Sequence, residues 1–187
     1  GGEIRPVLRV LFNSDFFKDA LYQKVRSPVE VVVGTLKLTG ELDGPDPRWS
    51  SIFLYPQGMG QDLLNPPTVE GWHTGREWIN SGAFIDRVNF VADLMGDDSL
   101  PGVQDIVERV RSAVAGNGGR IGPEAVVDGC LDQMGPLRVG DETYRELVSH
   151  LSAGGPIKSG NGSNSEFSRR VTGVLALIAG TVEYQSG

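Results

Sequence analysis

One short stretch of the chain, GQDLLNPPTVEGWHTGREW (residues 60–78), concentrates the residue types that could carry out chemistry. His73 follows a tryptophan and stands close to Arg76 and Glu77, a setting in which an imidazole can act as a general base. Such a base needs a nucleophile or a metal as its partner. The second histidine, His150, is distant in sequence, and no HExxH or GxSxG motif occurs. The pattern therefore favours a hydrogen bond within the loop for His73 over catalysis.

Motifs for metals and cofactors are also missing from the sequence. The single cysteine, Cys130, excludes an internal disulfide and a zinc site built from cysteines. The carboxylates lack the spacing of a calcium loop, and Asp97-Asp98-Ser99 is more typical of a turn before a helix. The glycine-rich run at 116–119 lacks the lysine and hydroxyl residue of a phosphate loop. We predict no metal site and no cofactor.

The tryptophans of the 60–78 stretch are the best candidates for binding. Trp72 and Trp78 offer flat apolar faces to a sugar or a partner protein, because rigid aromatics give a large contact area at a small entropic cost. Their alternative role is to anchor an irregular loop. Arg76 and Arg87 are expected to bind carbonyl or carboxylate oxygens of this loop, since each guanidinium carries five donors. The candidate binding set therefore comprises Gln61, Trp72, His73, Arg76, Trp78 and Arg87.

Charge and hydropathy restrict the class of partner. The formal net charge is −7 and the basic residues are scattered, so a surface for nucleic acid or for an anionic membrane is not expected. No stretch approaches the roughly 20 apolar residues of a membrane helix. The chain starts with Gly1-Gly2 directly before a periodic segment and shows no export signal. We predict that it is a fragment of a longer protein.

The spacing of apolar residues predicts helices along most of the chain. The clearest start is Ser27, which can cap a helix with Pro28 at its first position and Glu30 completing a capping box. Gly40 can end this helix in the left-handed conformation. Asp141 and Ser163 are expected to cap two later helices, the last of which keeps its apolar spacing to Val182. The other predicted helices cover approximately residues 4–11, 84–95, 101–114 and 123–134, and a short second helix is predicted after the cap candidate Ser14.

Residues 41–80 differ in kind from the helical segments. They hold five of the eleven prolines and all three tryptophans, which predicts a long, ordered, irregular loop folded over the helices by Trp49, Trp72 and Trp78. The Gly/Ser/Asn-rich residues 153–165 predict a flexible linker before the last helix. The predicted fold is a single all-α domain, residues 1–187, with seven or eight helices.

Three segments of the chain carry a family resemblance. They are KVRSPVEVVVGTLKLTG, MGQDLLNPPTVEGWHTGREWINSGAFIDRVNF and RRVTGVLALIAGTVEYQSG. Together they resemble the C-terminal half of a bacterial family known as domain of unknown function 1800. The family usually has proline after the Gly-Trp pair, where this chain has His73. This departure speaks further against a catalytic role for His73.

The resemblance implies a location and a partner but no activity. Family members are longer, are usually exported, and tend to be encoded beside a second family that is similar to sulfatases and alkaline phosphatases. This implies a periplasmic or extracellular protein with a protein partner. Our preferred interpretation is a non-enzymatic interaction or scaffold module. The alternative is a hydrolase or a carbohydrate-active protein whose glycan-binding cleft is formed by residues 57–87.

Overall fold

The computed structural model describes residues 2–20, 23–41, 47, 49–115, 121–135, 137–157 and 165–186. Within these residues the chain forms helices, one 3-10 turn (Gly75–Trp78) and isolated β-bridges, which confirms the predicted all-α fold. The α-helices are, in chain order, α1 (Ile4–Asn13), α2 (Asp15–Lys18), α3 (Pro28–Leu38), α4 (Trp49–Ile52), α5 (Leu54–Gly58), α6 (Ser81–Gly96), α7 (Pro101–Ala115), α8 (Pro123–Gln133), α9 (Asp141–Ala153), α10 (Glu166–Ala179) and α11 (Val182–Gln185). No helix among them is long and apolar enough to cross a membrane.

Helix α3 begins and ends as its local sequence predicts. The Ser27 hydroxyl accepts a hydrogen bond from the Glu30 amide at 3.3 Å, and the Glu30 carboxylate accepts one from the Ser27 amide at 2.7 Å. Pro28 occupies the first turn, where its missing amide proton costs nothing. Gly40 has a φ of 76° and closes the C-terminus. These local interactions satisfy amides that the helix itself leaves without partners.

The hydrophobic core is built around α10, which packs most extensively on α6 and also against α7, α8 and α9. Its apolar residues recur at three and four positions and face inward. Burial of each such side chain contributes roughly 1.5–3 kcal/mol. The fully buried apolar residues on this face are Phe167, Val171, Val174, Leu175, Ile178 and Ala179.

The C-terminal helix is shorter than its apolar spacing predicts. Helix α10 ends at Ala179, and the chain turns at Gly180 before α11. The Thr181 side chain caps α11 by accepting a hydrogen bond from the Tyr184 amide at 3.2 Å. The predicted continuation to Val182 is therefore wrong, because an extended, capping threonine interrupts the helix. As a consequence Val182 is 71% exposed.

Two predicted helix caps are also shifted in the structure. Helix α10 is capped by Ser165, whose hydroxyl accepts from the Ser168 amide at 3.1 Å, and Ser163 lies outside the described residues. Helix α9 has Gly140 at its cap position, and Asp141 lies in the first turn. A carboxylate there still interacts favourably with the helix dipole. Both shifts are small and leave the helices where the apolar pattern predicts them.

The predicted loop and linker are described only in part. Residues 42–46 and 48, and the side chain of Trp49, lie outside the described residues, as do residues 158–164 of the predicted linker. Helices α4 and α5 occupy the first part of the 41–80 segment. From residue 60 to residue 80 the chain is irregular apart from the 3-10 turn and a bridge between Thr68 and Gly71. The prediction of an irregular loop is therefore confirmed for residues 60–80.

Helices α1 and α2 stand apart from the core. No residue of either helix is buried, and α1 makes its main contact with α2. The rings of Phe12 and Phe17 meet edge to face with their centroids 5.1 Å apart. Most apolar side chains of this helix pair are therefore exposed to solvent.

Candidate binding cleft

A cleft of about 490 Å³ lies between the segment before α3 and the 60–78 loop. It brings together four of the six predicted binding residues: Gln61, Trp72, His73 and Trp78. The remaining lining residues are Gln23, Lys24, Val25, Ser27, Glu30, Thr74 and Gly75. One wall is therefore the predicted loop, and the other is the N-terminal end of α3 with the residues that precede it.

Hydrogen bonds between side chains and the backbone hold the loop wall in place. The Gln61 side-chain oxygen accepts from the Val29 amide at 3.0 Å and so attaches the loop to the first turn of α3. The Trp72 indole nitrogen donates to the Asp62 carbonyl at 3.0 Å. Gly71 and Gly75 have φ values of 106° and 60°, which glycine adopts at little cost. An irregular segment needs such partners because it lacks a regular hydrogen-bonding pattern.

The two tryptophans of the loop have different environments. Trp78 is only 5% exposed and anchors the loop, as predicted. Trp72 is half-buried, so part of its indole ring stays accessible at the cleft. Trp72 is consequently the better candidate for contact with a ligand, and Trp78 is the better structural anchor.

The polar side of the cleft carries an ion pair that no sequence pattern predicts. The Lys24 ammonium donates to the Glu30 carboxylate, and this bond is the main reason why the pKa of Glu30 is lowered. The amide and the hydroxyl of Ser27 lower the pKa of Glu30 further, against an opposing effect of partial burial. A carboxylate with a lowered pKa is a weak general base. The pair is six residues apart across a helix start, a spacing that matches no recognised motif.

His73 lines the cleft and is exposed. Its Nδ1 is 3.1 Å from a carboxylate oxygen of Glu77, which is also exposed. Glu77 completes a capping box with Thr74 at the start of the 3-10 turn. The predicted hydrogen bond within the loop is therefore confirmed for His73.

The two arginines of the predicted set are not among the described residues that line the cleft. Arg76 is exposed on the 3-10 turn. Arg87 is fully buried on α6, where its Nε donates to the Gln185 side-chain oxygen at 3.0 Å and its Nη2 to the Gln185 carbonyl at 3.3 Å. The prediction that Arg87 binds the loop is wrong, because it binds the C-terminal α11. Arg87 lies four residues after Ala83 and three before Phe90, a spacing that predicts that it shares their buried face.

Carboxylates and the thiol have structural surroundings. One Asp97 carboxylate oxygen accepts hydrogen bonds from the Ser99 amide at 2.9 Å and the Ser99 hydroxyl at 2.6 Å, which confirms the predicted turn. In the described part of the chain, no group of three or more His, Cys, Asp or Glu is placed to hold a metal ion. Cys130 is buried in the core, and burial raises the pKa of its thiol to about 12. The thiol is consequently a poor nucleophile.

Comparison with known proteins places the chain in a family. No curated protein and no solved structure matches it. Residues 1–186 match the family described as Protein of unknown function (DUF1800). The match covers nearly the whole chain and agrees with the resemblance carried by the three sequence segments. This chain therefore belongs to the DUF1800 family of proteins of unknown function.

Proposed function

We propose that this chain is a non-enzymatic interaction module that binds another protein chain through an exposed apolar face on α1 and α2. We call this surface the N-terminal apolar face. It consists of Ile4, Val7, Leu8, Phe12, Phe16 and Phe17. Its exposure is the observation that carries the proposal.

The N-terminal apolar face has the pattern of a binding helix. Ile4, Val7 and Leu8 recur at three and four positions, yet Ile4 is 71% and Val7 66% exposed. A ten-residue helix is only marginally stable alone in water, so most helical stability comes from packing of its apolar side. Exposed apolar side chains grouped on one face of a helix are typical of an interaction site. A partner chain that covers it would supply the missing packing.

The chemistry of the cleft supports binding more than catalysis. Glu30 is held ionised by Lys24, and His73 is exposed and bonded to Glu77. A general acid or base is normally tuned toward the operating pH by burial or by a like charge. A catalytic carboxyl group needs a raised pKa, whereas the pKa of Glu30 is lowered.

Family resemblance supports two further parts of the proposal. It favours a periplasmic or extracellular location. It also makes the sulfatase-like protein encoded beside many relatives one candidate for the chain that covers the N-terminal apolar face. We propose both on the resemblance alone.

The experiment that tests the proposal is affinity capture from the native host with a matched pair of variants. Val7→Asp places a charge on the N-terminal apolar face, whereas Val69→Asp places one on a still more exposed site of the loop. We expect the same identified partner with the unmodified chain and with Val69→Asp, and its loss with Val7→Asp. Equal capture by both variants would show that the N-terminal apolar face does not bind the partner, and would contradict the proposal.

A carbohydrate-binding cleft is the second candidate function, and the half-buried Trp72 is the observation that favours it. Aromatic faces stack on sugars, and Gln61, Thr74, Lys24 and Glu30 supply donors and acceptors around the ring. Titration with a panel of neutral and acidic oligosaccharides, followed by tryptophan fluorescence and by product analysis, tests this function. Binding that Trp72→Ala abolishes would support it, and release of shorter sugars would support a hydrolase.

A further inference from the structure

We infer that the partner chain that binds the N-terminal apolar face is a second copy of this protein. Helix α1 of one copy binds in the groove between α9, α10 and α11 of the other copy. The inference rests on the proposed function, because it takes α1 as an interaction surface and names the partner. The groove has a volume of about 650 Å³. The observations that join α1 to this groove are apolar composition, charge and the position of the N-terminal segment.

The groove presents apolar side chains to solvent. One wall is a face of α9 with residues at helical spacing, and Leu147 forms its base. The opposite wall contains Leu177 from α10, which is 41% exposed, and Val182 from α11, which is 71% exposed. The break between α10 and α11 puts Val182 at this position instead of in the core. The groove therefore offers exposed apolar side chains that the apolar face of an amphipathic helix can cover.

Charge complementarity selects α1 as the occupant. Helix α1 contains Arg5 and Arg9 and no acidic residue. The two arginines are four residues apart and lie along one edge of its apolar face. Acidic residues border the groove on both sides, Glu146 on α9 and Glu183 on α11. Glu183 is fixed there because one of its carboxylate oxygens accepts from the Gly140 amide at 2.9 Å.

The position of the N-terminal segment favours exchange between two copies. Val25 forms a bridge with Ser186, so the chain immediately before α3 is fixed beside α11. In this structure α1 does not occupy the groove of its own chain. If each copy places α1 in the groove of the other, the same contact forms twice and the pair closes around a two-fold axis.

Cross-linking between two different variants tests the inference. A chain with Leu8→Cys is mixed with a chain with Val182→Cys, and a short bis-maleimide is added. Cys130 is buried and unreactive, so it can remain. We expect a covalent dimer from the mixture and none when Val69→Cys, on the exposed loop, replaces Val182→Cys. A mixture that yields no linked dimer would overturn the inference.

Sedimentation and a charge exchange provide the second measurement. We expect the unmodified chain to sediment at twice the monomer mass and Arg9→Glu to weaken association about tenfold, with recovery when Glu146→Lys is added. A chain that sediments as a monomer at all concentrations would overturn the inference. A Leu8→Cys/Val182→Cys double variant in which the bis-maleimide links the two cysteines of one chain would also overturn it. If the chain is a monomer but Val7→Asp still abolishes capture of a different protein, this inference fails and the proposed function holds. If Val7→Asp and Val69→Asp capture that protein equally, the proposed function fails as well.

Discussion

Arg87 and Gln185 join α6 to α11 across 98 residues of sequence. The guanidinium binds both the side-chain oxygen and the backbone carbonyl of Gln185, and the same carbonyl accepts from the Arg26 amide at 3.2 Å. The Gln185 side-chain nitrogen in turn donates to the Ala179 carbonyl at 2.7 Å. Gln185 is therefore the point at which α6, the end of α10 and the segment before α3 are held together. Burial lowers the pKa of Arg87, but an arginine remains charged at any ordinary pH.

The first prediction concerns this Arg87–Gln185 contact. Gln185→Leu leaves the buried Arg87 Nε without its acceptor, next to Nη1, which already has no hydrogen-bond partner among the described residues. We expect each of Gln185→Leu and Arg87→Met to lower the free energy of unfolding by about 2–3 kcal/mol. The double variant should lose less than the sum by about 1–2 kcal/mol, because neither partner is then left unpaired. Urea denaturation of the unmodified chain, the two single variants and the double variant gives the four free energies of unfolding. Losses that simply add in the double variant would contradict the prediction.

The second prediction concerns the contact between α3 and α7. The Gly102 amide donates to the Thr39 carbonyl at 3.0 Å, and a Cβ on Gly102 would lie 2.5 Å from the Thr39 carbonyl carbon. Backbone atoms cannot yield as a flexible side chain does, so Gly102→Ala should cost about 3 kcal/mol. The control is Gly34→Ala on α3, where a Cβ meets no atom within 4 Å. That change should stabilise by about 0.5–1 kcal/mol, and thermal unfolding of both variants distinguishes them.

The third prediction separates the two tryptophans of the loop. Trp78→Ala should lower the free energy of unfolding by about 3–5 kcal/mol, as large core truncations do. Trp72→Ala should cost about half of that, because its ring is only half-buried. Chemical denaturation gives both values. A greater loss for Trp72→Ala would mean that Trp72 is the main anchor, and the assignment of its ring to ligand contact would then be withdrawn.

The fourth prediction is a pH dependence at the Lys24–Glu30 pair. The pKa of Glu30 is lowered in the folded protein from its ordinary value of 4.5, so the folded state binds the Glu30 proton less readily than the unfolded state. The contribution of ionised Glu30 to the free energy of unfolding is therefore fully present above pH 4.5. It is lost as the pH falls through the lowered pKa of the folded protein. We expect the unmodified chain to be more stable than Glu30→Gln at neutral pH and this difference to shrink in acid. A difference that stays constant as the pH falls would contradict the assigned shift.

Local sequence determined most helices and several of their ends. The Ser27–Glu30 capping box and Gly40 define α3 by interactions within a few residues, so sequence alone predicts them. Apolar spacing likewise predicts α7 and the buried face of α10, since every turn of a packed helix must present apolar groups to the core. The prolines, glycines and tryptophans of residues 60–78 predict an irregular loop, and this loop is one wall of the cleft.

Tertiary structure alone decided where long-range partners meet. The cleft brings Lys24 and Gln61 together from separate parts of the sequence, and no local pattern specifies that pairing. Arg87 binds Gln185 because α6 packs on α10, which brings the C-terminal turn to its side chain. The apolar pattern of α1 predicts a helix equally well whether its face is buried or exposed, because periodicity records which residues share a face and carries no information about what covers it.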